Sequence, residues 1–146
     1  MYIAPYARAA NAYRKVSVET NVDGASPHQL ISLVFSGLRH SLAQAEAAVR
    51  SGDIAAKGTQ IGRAVRFLEE GLKGGLDAAQ GGELADRLGA LYDYCVSRLT
   101  VANLRNDATA VAEVAALIAP VAQAWQDIGQ TAAAKAPAVP AALLAA

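Results

Sequence analysis

Apolar side chains recur every three or four residues in four separate runs of this chain, and that spacing points to packed helices. The first run carries Ile31, Phe35, Leu38, Leu42, Ala45 and Val49, and the second Ile54, Gly58, Ile61, Val65, Leu68, Leu72 and Gly75. The third carries Leu84, Leu88, Leu91, Cys95, Leu99 and Ala102, and the fourth Val111, Val114, Ile118, Val121, Trp125 and Ile128. A helix turns about 100° per residue, so each run gathers on one face and gives an amphipathic helix with that face buried. The chain is 53% hydrophobic but only 5% aromatic. Much of its apolar content is therefore alanine, which favours helix over sheet.

The punctuation between the runs is short. Ser26-Pro27-His28-Gln29 places serine at an N-cap, proline at the first helical position and glutamine three residues on, a capping box. Gly52 suits the left-handed position past a helix end, and Asp53 caps the next helix. Gly81-Gly82 opens the third run, and Asn106-Asp107 closes it and caps the fourth. Turns this short make successive helices antiparallel neighbours. The expected fold is all-α, an antiparallel up-and-down four-helix bundle with a short N-terminal cap segment. Residues 1–25 form the cap segment and connector, 26–131 the bundle, and 132–146 an Ala/Pro-rich tail whose composition reads as disordered.

Some residues exceed what a bundle seam needs. Leu30, Leu33 and Val34 widen the first helix's apolar face at its N-terminal half. With Leu91 and Cys95 facing the core, Tyr92 and Tyr94 fall on opposite shoulders of the third helix and Asp93 points away. The tyrosines read equally as snorkelling boundary residues or as contact residues. Asp93 and Arg98 read as bundle salt bridges, and Trp125 as core before contact. Gly58, Gly62, Ala64 and Gly71 mark close approaches to a neighbour or an unfilled groove. Pro120 should kink the fourth helix.

Several function classes are disfavoured. Net charge is zero, without the basic excess of a nucleic-acid binder. Cys95 is the single cysteine, which suits a reducing compartment. The first fifteen residues lack the continuous apolar core of a signal peptide, and no uninterrupted apolar run approaches the ~20 residues of a membrane span. A cytosolic protein with no membrane insertion is expected. His28 and His40 on one helix stand about 18 Å apart along its axis, too far to share a metal. No Glu-x-x-His pair is present, and the glycines match no phosphate loop. No enzyme activity, metal or cofactor is expected.

A set of ordered motifs resembles one known family. The motifs are Ser26-Pro27-His28-Gln29-Leu30-Ile31, Gly52-Asp53 with Ala56-Lys57-Gly58, Gly81-Gly82-Glu83, Leu91-Tyr92-Asp93-Tyr94, Arg98-Leu99, Ala102-Asn103-Leu104-Arg105-Asn106-Asp107 and Ala124-Trp125. Each is weak alone; together, in order and at this spacing, they are similar to the flagellar export chaperone FliS over about residues 8–130. The resemblance implies a chaperone that binds the disordered C-terminal region of flagellin in apolar grooves. It would prevent premature polymerisation and deliver flagellin to the flagellar type III secretion apparatus. The export gate and an anti-sigma factor are further partners it implies.

Tyr13, within Ala12-Tyr13 and followed by Val16-Ser17-Val18-Glu19, matches the family's N-terminal tyrosine, in a segment that covers the binding surface. The flagellin-binding candidates are accordingly Tyr13, Val16, Val18, Leu30, Leu33, Val34, Tyr92, Tyr94 and Arg98. Phe35 and Ser36 stand where Tyr and Asp are common, Cys95 where Met is common, and Ala10 where some relatives carry a larger aliphatic residue. The alternative reading is a helical-bundle adaptor or homodimer, whose wide apolar faces would produce the same periodicity.

Overall fold

The computed structural model describes residues 25–76 and 78–135. Helix α1 spans Pro27–Ser51 and α2 spans Ile54–Arg66. The α2 axis continues through a π-helical segment, Phe67–Leu72, and a 3-10 turn, Lys73–Gly75. Helix α3 spans Ala78–Arg105 and α4 spans Ala108–Lys135, and no strand occurs among the described residues. Backbone proximity joins α1 to α2 and α4, and α3 to α4 and to the α2–π segment. That leaves α1 diagonal to α3, and α2 diagonal to α4, in a four-helix bundle. The cap segment, with Tyr13, Val16 and Val18, lies outside the described residues, as do residues 136–146 of the tail.

The turns form as their residues dictate. Ser26 Oγ accepts from Gln29 N at 3.1 Å while Gln29 Oε1 accepts from Ser26 N at 2.8 Å, closing the capping box. Gly52 takes φ 75°, and Asp53 Oδ1 accepts from Ala56 N at 3.0 Å. Asn106 adopts φ 53°, and Asp107 Oδ1 accepts from Ala110 N at 3.2 Å. The third helix departs from the expected start: helical backbone begins at Ala78 and is interrupted at Gly82, with φ 52° and ψ −128°. Only glycine tolerates that conformation readily.

The core follows the periodicity with shifts of register. In α1, Ala48 is buried where Val49 was expected, and Val34 is fully enclosed. In α3 the buried line is Ala85, Tyr92, Cys95, Leu99 and Ala102, with Leu88 half-buried between the first two. This line keeps strict three-four spacing, but runs through Tyr92 rather than Leu91 and starts at Ala85 rather than Leu84. Tyr92 is therefore a core residue, only 3% exposed, and not a shoulder residue. Ile54, Leu84 and Ile128, expected on seams, are exposed.

The π-helical segment changes the second seam. Its extra residue per turn brings both Phe67 and Leu68 inside, followed by Gly71 and Leu72. Phe67 packs where Gly37 of α1 has no side chain: a Cβ there would lie 2.5 Å from Phe67 Cζ. One turn on, a Cβ at Gly71 would lie 2.7 Å from Val34 Cγ1. These two glycines set how closely α1 and the π segment approach. Gly58 and Gly62, by contrast, face open space.

The stretch Ala108–Gln130 of α4 is long and apolar enough to cross a membrane by length and composition. Glu113 and Asp127 interrupt it as an apolar run, while its alanines raise the mean hydropathy. In the bundle, Ala110, Val111, Val114, Ile118 and Ala122 of this stretch are core.

Candidate functional site: an apolar groove at one end of the bundle

The four helices do not close the core at the end where α1 and α3 begin. A groove of about 540 Å³ opens there. Ile31 and Phe35 of α1 form its floor with Leu72, and Gly75 and Leu76 edge it after the 3-10 turn. Gly81, Leu84, Ala85, Leu88 and Tyr92 contribute from α3, and Pro120, Val121, Ala124, Trp125 and Ile128 from α4. None of these lining residues carries a charge. Leu84 is 64% exposed and Ile128 58%, so apolar surface remains in water at the groove's mouth. An apolar segment laid there gains roughly 1.5–3 kcal/mol for each large side chain it buries fully, before the cost of ordering.

The seam residues reach this groove because the periodicity of each helix outruns its partners. Leu84 lies just past the break at Gly82, in the early part of α3, and shares the groove with Leu72 at the end of the π segment. Ile128 lies on α4 next to Gly129, which abuts His28 at the very start of α1. The groove wall at Trp125 is fixed by His28. Their rings stack with centroids 4.8 Å apart and planes 7° apart. Trp125 also borders a smaller cleft of about 150 Å³, shared with Ser32, Phe35, Ser36, Arg39, Ala122 and Gln126.

The candidate residues separate into distinct places. Tyr92 lines the groove from below; burial, reinforced by Cys95, pushes its phenol up to about 12. Cys95 behind it is likewise pushed up to about 11 by burial, with the Glu113 charge adding. Val34 is sealed in the core against Gly71, with no exposed surface to offer a ligand. Leu30 and Leu33 are half-buried against the core.

Tyr94 and Arg98 belong to another constellation, on the α3–α4 face. Arg98 Nε donates to Glu113 Oε1 at 2.6 Å, and Tyr94 Oη donates to Glu113 Oε2 at 3.0 Å. The Arg98 hydrogen bond, followed by that of Tyr94, holds the Glu113 carboxyl below the usual range. The same bonds raise Arg98 and Tyr94. Asp93 pairs separately with Lys73 at 2.6 Å. Such exposed pairs orient helices more than they stabilise them. Periodicity did identify Leu84, Leu88, Val121, Trp125 and Ile128 as apolar-face positions. It could not distinguish groove from core, because that depends on where the neighbouring helices stop.

Among the described residues no group of three or more His, Cys, Asp or Glu side chains could hold a metal ion. The arrangement is suited to receiving an apolar chain.

Comparison with known proteins gives a consistent picture. The family model described as flagellar protein FliS matches residues 9–132. The flagellar secretion chaperone FliS of Salmonella typhimurium is 47% identical over 122 residues, covering 84% of this chain and 90% of that protein. The flagellar secretion chaperone FliSB of Pseudomonas aeruginosa is 41% identical, covering 83% and 95% respectively. The FliS of Bacillus subtilis is 30% identical, covering 82% and 85%.

Proposed function

This chain belongs to the flagellar protein FliS family, and from that membership we propose that it is a cytosolic export chaperone for flagellin. It binds the C-terminal region of flagellin, prevents premature polymerisation and hands the subunit to the flagellar type III secretion apparatus. The relatives named above are flagellar secretion chaperones, a role that requires no catalysis.

The observation that carries the reading is the uncharged groove between Leu84 and Ile128, with both side chains left in water. An export substrate whose end segments form helices with other copies exposes apolar stripes while it is alone. Helix-in-groove contact covers such a stripe and blocks self-assembly by occupying the same surface. Ordering the bound segment consumes part of the contact energy. Release then follows from handover to another component of the export system.

The test is co-purification with flagellin and with flagellin lacking its C-terminal region. Only the intact protein should be retained, and the complex should have the mass of one chaperone with one flagellin. Retention of the truncated form would sink the proposed mode of recognition.

A further inference from the structure

Arg39 stands on α1 with no carboxylate in helical reach. The residues three and four positions away on either side are Phe35, Ser36, Leu42 and Ala43. Arg50 and Arg87, by contrast, pair with Glu46 and Glu83 one turn before them. Among the described residues the Arg39 guanidinium has no hydrogen bond or ion pair.

Ser32, Ser36 and Arg39 fall on one stripe of α1, since steps of four and three return to the same face. They meet Gln126 of α4 at the cleft of about 150 Å³, which Phe35 and Trp125 also line. That is the space of about five waters at roughly 30 Å³ each, enough for one short side chain and too little for a helix. Its polar lining is one-sided. Arg39 can only donate, Ser32, Ser36 and Gln126 can each donate, and no carboxylate lines the cleft. None of these side chains is engaged with another described residue. Asp127, next to Gln126 in the chain, accepts from Gln123 at 3.0 Å.

Phe35 and Trp125 are walls of the apolar groove as well, so the two spaces share a partition. The groove draws on every helix of the bundle, while the cleft lies only between α1 and α4. A chain seated in the groove reaches the cleft sideways, with a side chain rather than with its end. An uncharged groove accepts an apolar stripe in more than one register, because a slide of one turn exchanges one apolar side chain for another. A charge that must be met at one point removes that freedom.

We propose that the Arg39 cleft is a carboxylate subsite: the segment that fills the groove presents an aspartate or glutamate side chain there, and Arg39 fixes its register. The planar guanidinium meets the carboxylate with two parallel N–H bonds. Ser32, Ser36 and Gln126 supply further donors, and the aromatic walls cover the aliphatic stem. Arg39 thus determines specificity, while the groove supplies the apolar contact. The identity of the segment rests on the flagellin-chaperone reading.

The test is titration calorimetry with the C-terminal region of flagellin and with versions in which each aspartate or glutamate is replaced in turn by its amide. Arg39→Gln should weaken binding of the unaltered region roughly five- to thirtyfold at low salt. Arg39 is exposed, so the thermal midpoint of the free protein should stay at the native value. One amide replacement should weaken binding to the native chain by a similar factor and cause no further loss in Arg39→Gln. Lysine at that same position should restore binding to Arg39→Glu.

Native affinity in Arg39→Gln, alongside lost binding in Leu84→Asp, overturns the subsite and leaves the groove standing. A loss in Arg39→Gln that couples to no single carboxylate makes Arg39 a diffuse charge and also overturns it. Coupling to amidation of the chain end instead would assign the cleft to a terminal carboxylate and overturn the side-chain occupant. If the native chain fails to bind the flagellin region at all, the chaperone reading fails and this occupant falls with it.

Discussion

Trp125 and His28 clasp one another through both backbone and side chain. The indole Nε1 donates to the His28 carbonyl at 3.2 Å, and His28 Nε2 lies 2.7 Å from the Trp125 carbonyl, on which it donates its proton. Glycine at 129 makes room for the ring, since a Cβ there would collide with the imidazole. The clasp ties the start of α1 to α4 and sets one wall of the groove. His28→Ala should cost about 1–3 kcal/mol by removing the stacked ring and its bond to the Trp125 carbonyl, while the indole keeps its main-chain acceptor, measured by urea denaturation. Gly129→Ala should also destabilise, even though alanine is the better helix former. Both should alter Trp125 emission.

Glycines elsewhere should divide by sign according to what their missing Cβ would meet. Gly37→Ala forces alanine into the Phe67 ring, and Gly71→Ala into Val34. Overpacking of this kind costs about 1–3 kcal/mol. Gly58→Ala meets nothing within 4 Å and lies inside α2, so it should stabilise by up to about 1 kcal/mol. Thermal denaturation of the three variants would show two lowered midpoints and one raised.

Lys57 is nearly buried at 7% exposure, and its ammonium has a specific use. Nζ donates to the Asn103 carbonyl at 2.9 Å and to Asn106 Oδ1 at 2.6 Å. It thereby pins the left-handed residue that ends α3 to the start of α2. Lys57→Met keeps the stem's packing but removes both bonds, and should lower stability by about 1–3 kcal/mol in urea titration. A midpoint equal to the native one would show that water replaces the ammonium.

The four helices and three of their caps were legible in the sequence because periodicity and capping chemistry are local. What was not legible depended on non-local events. Tyr92 reads as a polar-tipped boundary residue beside Leu91, yet the buried line of α3 runs through it because α3 is rotated toward the face carrying Ala85 and Cys95. Phe67 escaped the seam because nothing local announces a π-helical turn. Arg98 was read as a bundle salt bridge and forms one, but its partner Glu113 lies on another helix, and no spacing rule names it. Leu84 and Ile128 fit the seam pattern perfectly well; only the ends of the neighbouring helices turn seam into groove.

Alkaline solution should weaken the fold over a defined window. Burial raises the Cys95 thiol from 9.0 to about 11 and the Tyr92 phenol from 10.0 to about 12. Both folded-state values lie above the unfolded ones, so the native state retains protons that the unfolded state has released. Their contribution is complete below pH 9 and is lost as pH rises toward 12, at about 2–3 kcal/mol per group. Chemical denaturation from pH 8 to 11 should show a falling midpoint, with a shallower fall in Cys95→Ala once its lower starting stability is subtracted. Native Cys95 should also resist alkylation at neutral pH, being both enclosed and protonated.

The groove makes a final prediction that separates binding from folding. Leu84 and Ile128 are 64% and 58% exposed, so Leu84→Asp and Ile128→Asp place a carboxylate in water in the free protein and cost little stability. In a complex that buries them, each carboxylate must be desolvated without a partner, because the lining offers no cation. Each substitution should therefore weaken binding of flagellin's C-terminal region by about tenfold or more while leaving the thermal midpoint within a few degrees of native. Val34→Asp is the contrasting control: Val34 is wholly enclosed, and a charge there should unfold the bundle before binding can be tested. Tyr94→Phe and Arg98→Ala, on the Glu113 face outside the groove, distinguish one binding surface from two. If the groove is the whole site, both retain native affinity in titration calorimetry. If Arg98→Ala weakens binding as much as Leu84→Asp does, the bound segment wraps onto the α3–α4 face as well, and groove occupancy alone does not describe recognition.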